Sequence, residues 1–156
     1  MSQAYKGKFV PENKEKYRGD YSKITYRSSW ELFIMKMLDR NTEVKWWGSE
    51  ITVIPYFSES DGKKRRYFID MTICWKDGNI SLWEVKPAAE TRPPAIPSRN
   101  TAAAKKRFAD QVYTWGVNTS KWKATIDVCQ KKGWKFNIIT EDVLKRMGFK
   151  GVKDDI

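Results

Sequence analysis

The sequence predicts a single α/β domain in which a mixed sheet is flanked by helices, and three observations carry that prediction. Phe33, Ile34, Met37 and Leu38 form an apolar stripe at helical spacing within residues 30–39. Two runs rich in aromatic and β-branched residues, 66–75 and 80–85, flank Lys76-Asp77-Gly78-Asn79 and read as a β-hairpin. A helical region from residue 102 to Gly133 then precedes a further strand-like run, 134–139.

The elements follow in order. Residues 1–27 read as an irregular basic arm carrying Lys6, Lys8, Lys14, Lys16 and Arg18. Ser28-Ser29 supplies an N-cap for the helix at 30–39, and Glu31 falls in its first turn, where a carboxylate complements the helix dipole. After Val44-Lys45-Trp46-Trp47 a strand is expected over 51–57, and Asp61-Gly62 turns the chain into the strand that carries Asp70. Pro87, Pro93, Pro94 and Pro97, mixed with Arg92 and Arg99, make a stiff basic loop. Two helices are expected next, one over 102–115 and one from about residue 120 to Gly133. Thr140-Glu141-Asp142 caps a short terminal helix, so the domain is expected over 28–147 with a polar tail at 148–156. There is no internal repeat or low-complexity tract.

Composition narrows the chemistry. Thirty basic against nineteen acidic residues give a net charge of +11 over 156 residues, a field suited to a polyanion such as nucleic acid, although a merely soluble basic protein has the same balance. Cys74 and Cys129 are isolated, match no zinc spacing and suggest no disulfide scaffold, as expected in a reducing cytoplasm. Residues 1–17 are polar and lysine-rich, which argues against secretion or membrane insertion. The chain contains no histidine, so a histidine base and histidine metal ligands are excluded.

Asp70 is followed fourteen positions later by Glu84-Val85-Lys86. Two carboxylates and a main-chain carbonyl, here that of Val85, suit magnesium, which prefers oxygen ligands and keeps several waters; manganese is expected to substitute. A lysine beside them can orient the attacking water or stabilise charge on a phosphate, so the set suits phosphodiester cleavage. The same residue types also occur as a solvated cross-strand pair. The distinction depends on register. A two-residue turn at Asp77-Gly78 would put Asp70 opposite Val85, on the wrong face, whereas a three-residue loop with Gly78 or Asn79 left-handed puts Asp70 opposite Glu84 or Lys86. Glu31 could complete the site only if its helix packs beside these strands.

The order helix, three strands, helix, strand, with Glu31, Asp70 and Glu84-x-Lys86 in sequence, resembles the restriction-endonuclease-like nucleases of the Asp…Glu-x-Lys class over residues 26–140. Tyr5-x-Gly7-x-Phe9-x-Pro11, Lys16-Tyr17-x-Gly19-Asp20 and Tyr26-Arg27-Ser28-x-Trp30-Glu31 are similar to the amino-terminal signature of the head-completion nucleases of contractile-tailed bacteriophages. Asn118-x-x-Lys121-Trp122 and Phe136-x-Ile138-x-Thr140-Glu141 resemble that family and, more distantly, the endonuclease subunit of certain bacterial transposons. The residue before the first catalytic Asp, usually proline in this class, is Ile69 here; the proline does no chemistry.

The resemblance implies a DNA nuclease, cutting within strands or from their ends, that acts in head completion and head–tail joining, with trimming of packaged DNA as one such role. It implies Glu31, Asp70, Glu84 and Lys86 as active residues, with Glu31 joining Asp70, Glu84 and the Val85 carbonyl around the metal. Arg27, Arg92, Lys105, Lys106, Arg107 and Lys121 are the expected DNA-binding cations. The implied partners are DNA and phage head or neck proteins, with no membrane and no nucleotide cofactor. The implied location is the virion head, after synthesis in the host cytoplasm. The competing expectation is a non-catalytic DNA-binding adaptor at the head vertex; an intact set of four such groups favours the enzyme.

Overall fold

The computed structural model describes residues 6–151, so Tyr5 of the amino-terminal signature and residues 152–156 of the polar tail lie outside it. In chain order the elements are β1 Gly7–Lys8, β2 Thr25–Tyr26, α1 Ser29–Arg40, β3 Val44–Ser49, β4 Val53–Ser58, β5 Lys63–Phe68, β6 Met71–Trp75, β7 Ile80–Val85, α2 Ala102–Lys132, β8 Lys135–Ile139 and α3 Glu141–Arg146. The central sheet runs β3-β6-β7-β8, antiparallel except for the parallel β7–β8 pair, which α2 connects.

α1 begins where the Ser28 hydroxyl accepts the Glu31 N–H at 3.2 Å. Its Ile34, Met35 and Leu38 are fully buried and join Val44, Trp47, Met71, Ile73, Trp83 and Val85 in the core on one sheet face. The alternate residue Leu82 enters a second cluster with Ile54, Tyr56, Tyr67, Ile69 and Cys129, beneath α2. The sheet is thus covered on both faces, and polar side chains that share the α2 face must be satisfied inside the protein.

Residues 6–27 are part of this core. β1 pairs with β2, Phe9 and Ile24 are buried, and the Asp39 carboxylate accepts the N–H groups of Glu12 at 2.8 Å and Asn13 at 3.1 Å. The isolated apolar residues of this lysine-rich stretch have no helical or strand period, which is why the sequence reads as an irregular arm.

Two expected elements are corrected. The strand expected over 66–75 is two strands, because the chain changes partner at Ile69-Asp70. Ile69 donates to Thr52 at 3.0 Å as the last rung beside β4, and the Asp70 carbonyl then accepts from Glu50 at 3.3 Å as β6 passes to β3. The strand expected over 51–57 is accordingly β4, which forms a separate two-stranded ribbon with β5, while Val44–Ser49 takes the edge of the central sheet. The second correction concerns the two helices over 102–115 and 120–133, which are one helix of 31 residues.

Gly116, which falls between the two expected helices, is packed against Ser60. A Cβ there would collide with the Ser60 hydroxyl, which donates to the Tyr113 carbonyl at 2.8 Å. Turning that hydroxyl aside costs one exposed hydrogen bond, about 1 kcal/mol, which alanine's better helix propensity offsets, so the Gly116→Ala protein should stay within about 1 kcal/mol of wild type. Adding Ser60→Ala should make the alanine net stabilising in denaturant melts; a net loss would mean the glycine serves the backbone and not the contact.

Candidate active site

The β6–β7 hairpin closes through the three-residue loop Lys76-Asp77-Gly78. Trp75 donates to the Asn79 carbonyl at 2.9 Å, Gly78 donates back to Trp75 at 2.9 Å, and Gly78 sits at φ +91°. The rungs Cys74↔Ile80, Ile73↔Ser81, Thr72↔Leu82 and Met71↔Trp83 follow, so the next position sets Asp70 opposite Glu84. This is the register that the bulged loop requires, and it turns both acids toward α2, on the face of Leu82.

Each group is held by neighbouring elements. Asp70 Oδ2 accepts the Val85 N–H at 2.8 Å. Glu84, 6 % exposed, accepts the Trp122 indole N–H from α2 through Oε2, and Lys86 Nζ lies 4.0 Å from its Oε1. Lys86 is fixed through its own backbone, whose N–H donates to the Ile139 carbonyl at 3.0 Å. Glu31 is buried at the start of α1, where its Oε1 accepts the Arg27 N–H at 3.2 Å.

Negative charge is in excess here. The Asp70 carboxyl is pushed up to about 7, chiefly by burial and further by Glu84 and Glu31, against the pull of the Val85 N–H and Lys86. Burial also raises Glu31, with Glu50 adding to the effect. Among the described residues no three Asp, Glu, Cys or His side chains converge tightly enough to enclose a metal. Asp70 and Glu84 converge as a pair, and Glu31 acts on Asp70 across space. A pair suffices for magnesium, which is typically held by one or two carboxylates and keeps waters. Burial, with the neighbouring Glu84 and Glu31, disfavours the Asp70 anion, and a dication would relieve that cost, so this donor set fits such an ion.

Three further groups belong to this neighbourhood. The Tyr67 hydroxyl is buried near Glu84 without a hydrogen bond of ordinary geometry, and burial followed by the charges of Glu84 and Asp70 drives it upward. Lys121 places its ammonium 5.2 Å from the Tyr67 ring centre, and burial pushes it down against the attraction of Glu84 and Asp70. Glu50 occupies the left-handed region at φ +56°, a costly conformation for a non-glycine residue, and pairs with Arg27 at 2.8 Å. Sequence reasoning did not find Tyr67 or Glu50. Tyr67 looks like an ordinary strand aromatic, and the turn after β3 has no glycine at residue 50 to mark it.

The expected DNA-binding residues separate by position. Arg27 is engaged by Glu50, Lys106 pairs with Asp110 at 3.2 Å on the exposed start of α2, and Lys105 is exposed beside it. Arg92 and Arg107 both line a cleft between the proline-rich loop and α2, and Lys121 lies at the acids themselves. No helix among the described residues is long and apolar enough to cross a membrane.

Two comparisons with known proteins match this chain. The TnsA-like endonuclease N-terminal family matches residues 41–141, which include the hairpin, α2 and β8. A protein named head completion nuclease, from Enterobacteria phage T4, is 55% identical over 148 residues, covering 95% of this chain and 99% of that one. No solved structure matches the chain.

Proposed function

This chain belongs to the TnsA-like endonuclease family and to the head-completion nucleases within the restriction-endonuclease-like fold, and from that premise we propose that it is a magnesium-dependent DNA nuclease acting in phage head completion. The observation that carries the proposal is the register of the hairpin, which opposes Asp70 to Glu84 with Lys86 beside them.

Asp70, Glu84 and the Val85 carbonyl would hold the metal, and Glu31 contributes a third carboxylate to the pocket. When bound, magnesium supplies positive charge and Lewis acidity at the scissile phosphate. Manganese takes the same place. The protein's own groups do the rest. In the metal-free protein Asp70 ionises only as pH rises through about 7, and a bound dication would favour the anion; Trp122 fixes the orientation of Glu84, and Lys86 places an ammonium where it can orient water or offset charge on the phosphate. The exposed Arg92, Lys105, Lys106 and Arg107, with Lys121 at the acids, would track the DNA backbone; Arg27 would act as the ion-pair partner of Glu50 at the rim. Cutting can be internal or from an end. In the virion this activity would trim packaged DNA so that the filled head can join its tail through head or neck proteins.

Calorimetric titration of magnesium and of manganese, with and without DNA, tests the cofactor. Uptake should be seen with wild type and be lost with Asp70→Asn; absence of uptake under every condition would favour a DNA-binding adaptor with idle acids. Trp122→Phe removes the donor to Glu84 while keeping an aromatic ring. Initial cleavage rates should fall about 10–100-fold, as when an outer partner of a metal-binding group is lost. A rate within twofold of wild type would show that Glu84 does not depend on that bond.

A further inference from the structure

A cleft lies between α2 and the proline-rich loop, and its wall residue Trp115 connects it to the acidic pair through Trp122. Its volume is about 870 Å³, in the range of pockets that enclose organic ligands and far too small for a duplex. Pro93 and Pro94 line one wall, Trp115 and Asn118 line the other, and the surface between them is mostly apolar. Each wall contributes one cation and one acid, Arg92 and Glu90 from the loop and Arg107 and Asp110 from α2, and Asp110 is already paired with Lys106.

The cleft connects to the site through two rings. Trp115 meets Trp122 edge-on, with centroids 5.8 Å apart and planes at 82°, and Trp122 donates to Glu84. Asn118, buried, lies one turn before Trp122. The loop wall is anchored where it leaves the site, because the Ala88 N–H donates to Glu141 of α3 at 2.7 Å. The cleft is therefore preformed, and its inner wall stands one indole away from a proposed metal-holding carboxylate.

A paired duplex has little to bury in such a space. It presents phosphates and groove edges, and keeps the flat faces of its bases stacked inside. An unpaired nucleotide presents what the cleft lacks: a flat apolar face for Trp115 and a phosphate for Arg92 or Arg107. We propose that this cleft seats one or two unpaired nucleotides flanking the scissile phosphate, which makes DNA with a single-stranded segment, such as an overhang or frayed end, the preferred substrate. This rests on the nuclease reading of the adjoining site.

The test measures binding apart from cleavage. Asp70→Asn protein in a chelator is titrated by fluorescence anisotropy into a blunt duplex and into the same duplex with a five-nucleotide overhang. The overhang should bind about tenfold more tightly, the scale of one base stacked on an aromatic ring. Adding Trp115→Ala should bring the ratio to about one. Because Trp115 also packs on Trp122, Arg107→Ala, a change at an exposed position, serves as the second variant and should reduce the ratio at least threefold. Equal affinity for the two duplexes would overturn the proposal, as would a preference that survives both substitutions. If wild type cleaves DNA in magnesium yet shows no overhang preference, the cleft assignment fails and the nuclease reading stands. If the preference is present and cleavage absent, the reverse holds.

Discussion

Asp70→Asn should reduce DNA cleavage by roughly 10³-fold or more while leaving the metal-free protein at least as stable as wild type. Both halves follow from the same environment. The carboxyl accepts the Val85 N–H, faces Glu84 across the hairpin and stands within reach of Glu31, so its ionised form is needed for the chemistry and is costly to the fold. Its pKa rises from the ordinary carboxyl range to about 7 on folding. Below about pH 4 the carboxyl is protonated in the folded and unfolded states alike and costs nothing; between about 4 and 7 the unfolded chain ionises first. Stability in a chelator should therefore fall across that interval, by at most about 4 kcal/mol. Asparagine removes the Asp70 share and leaves that of Glu31, whose carboxyl burial also raises. Thermal melts at pH 5 and pH 8 should diverge more for wild type than for the variant, and magnesium should raise the wild-type melt at pH 8. A wild-type melt indifferent to both pH and magnesium would mean that Asp70 neither carries the strain nor meets the ion.

Lys86→Ala should abolish cleavage nearly as completely, by about 10²–10³-fold, with DNA affinity within about twofold of wild type. The side chain is 18 % exposed and leans on Glu84 at 4.0 Å, and its backbone is fixed by Ile139, so it stands beside the acids with little freedom to follow a phosphate elsewhere. One phosphate contact among many contributes little to affinity, whereas a cation at the developing charge acts on the transition state alone. Filter binding in a chelator, set beside initial cleavage rates in magnesium, separates the two. A collapse of binding would make Lys86 a grip on DNA and not a catalytic residue.

The parts of this architecture that were legible in the sequence are those fixed by neighbours in the chain. The apolar spacing of Ile34 and Leu38 and the Ser28 cap mark α1, although Leu32 and Met35 fill its buried face where Phe33 and Met37 are only partly buried. Gly78, which tolerates φ +91°, specifies the three-residue loop, and the loop specifies which face Asp70 occupies. What the sequence hid was set by distant partners. The continuity of α2 through residues 116–119, between the two expected helices, is one such feature, and there Gly116 has Ser60 pressed against it. Phe9 and Ile24 read as strays in a basic arm until their places in the core are known. The 66–75 run reads as one strand, because a change of strand partner at Ile69-Asp70 leaves no mark in composition. In the candidate site Asp70, Glu84 and Lys86 lie within one hairpin and its exit, so spacing found them. Trp122 and Lys121 arrive on a helix some forty residues later, and Tyr67 and Glu50 join only because the ribbon and the turn after β3 fold back onto the acids.

Incubation of the purified protein with linear and closed-circular DNA in magnesium, beside Asp70→Asn prepared identically, tests most directly that these acids cut DNA. Cleavage by wild type and none by the variant is the expected result, and cutting of the circle would establish internal cleavage. Equal cutting by the two proteins, or inertness of both in magnesium and manganese while both still shift DNA in a gel, would contradict the assignment of Asp70 to a nuclease site.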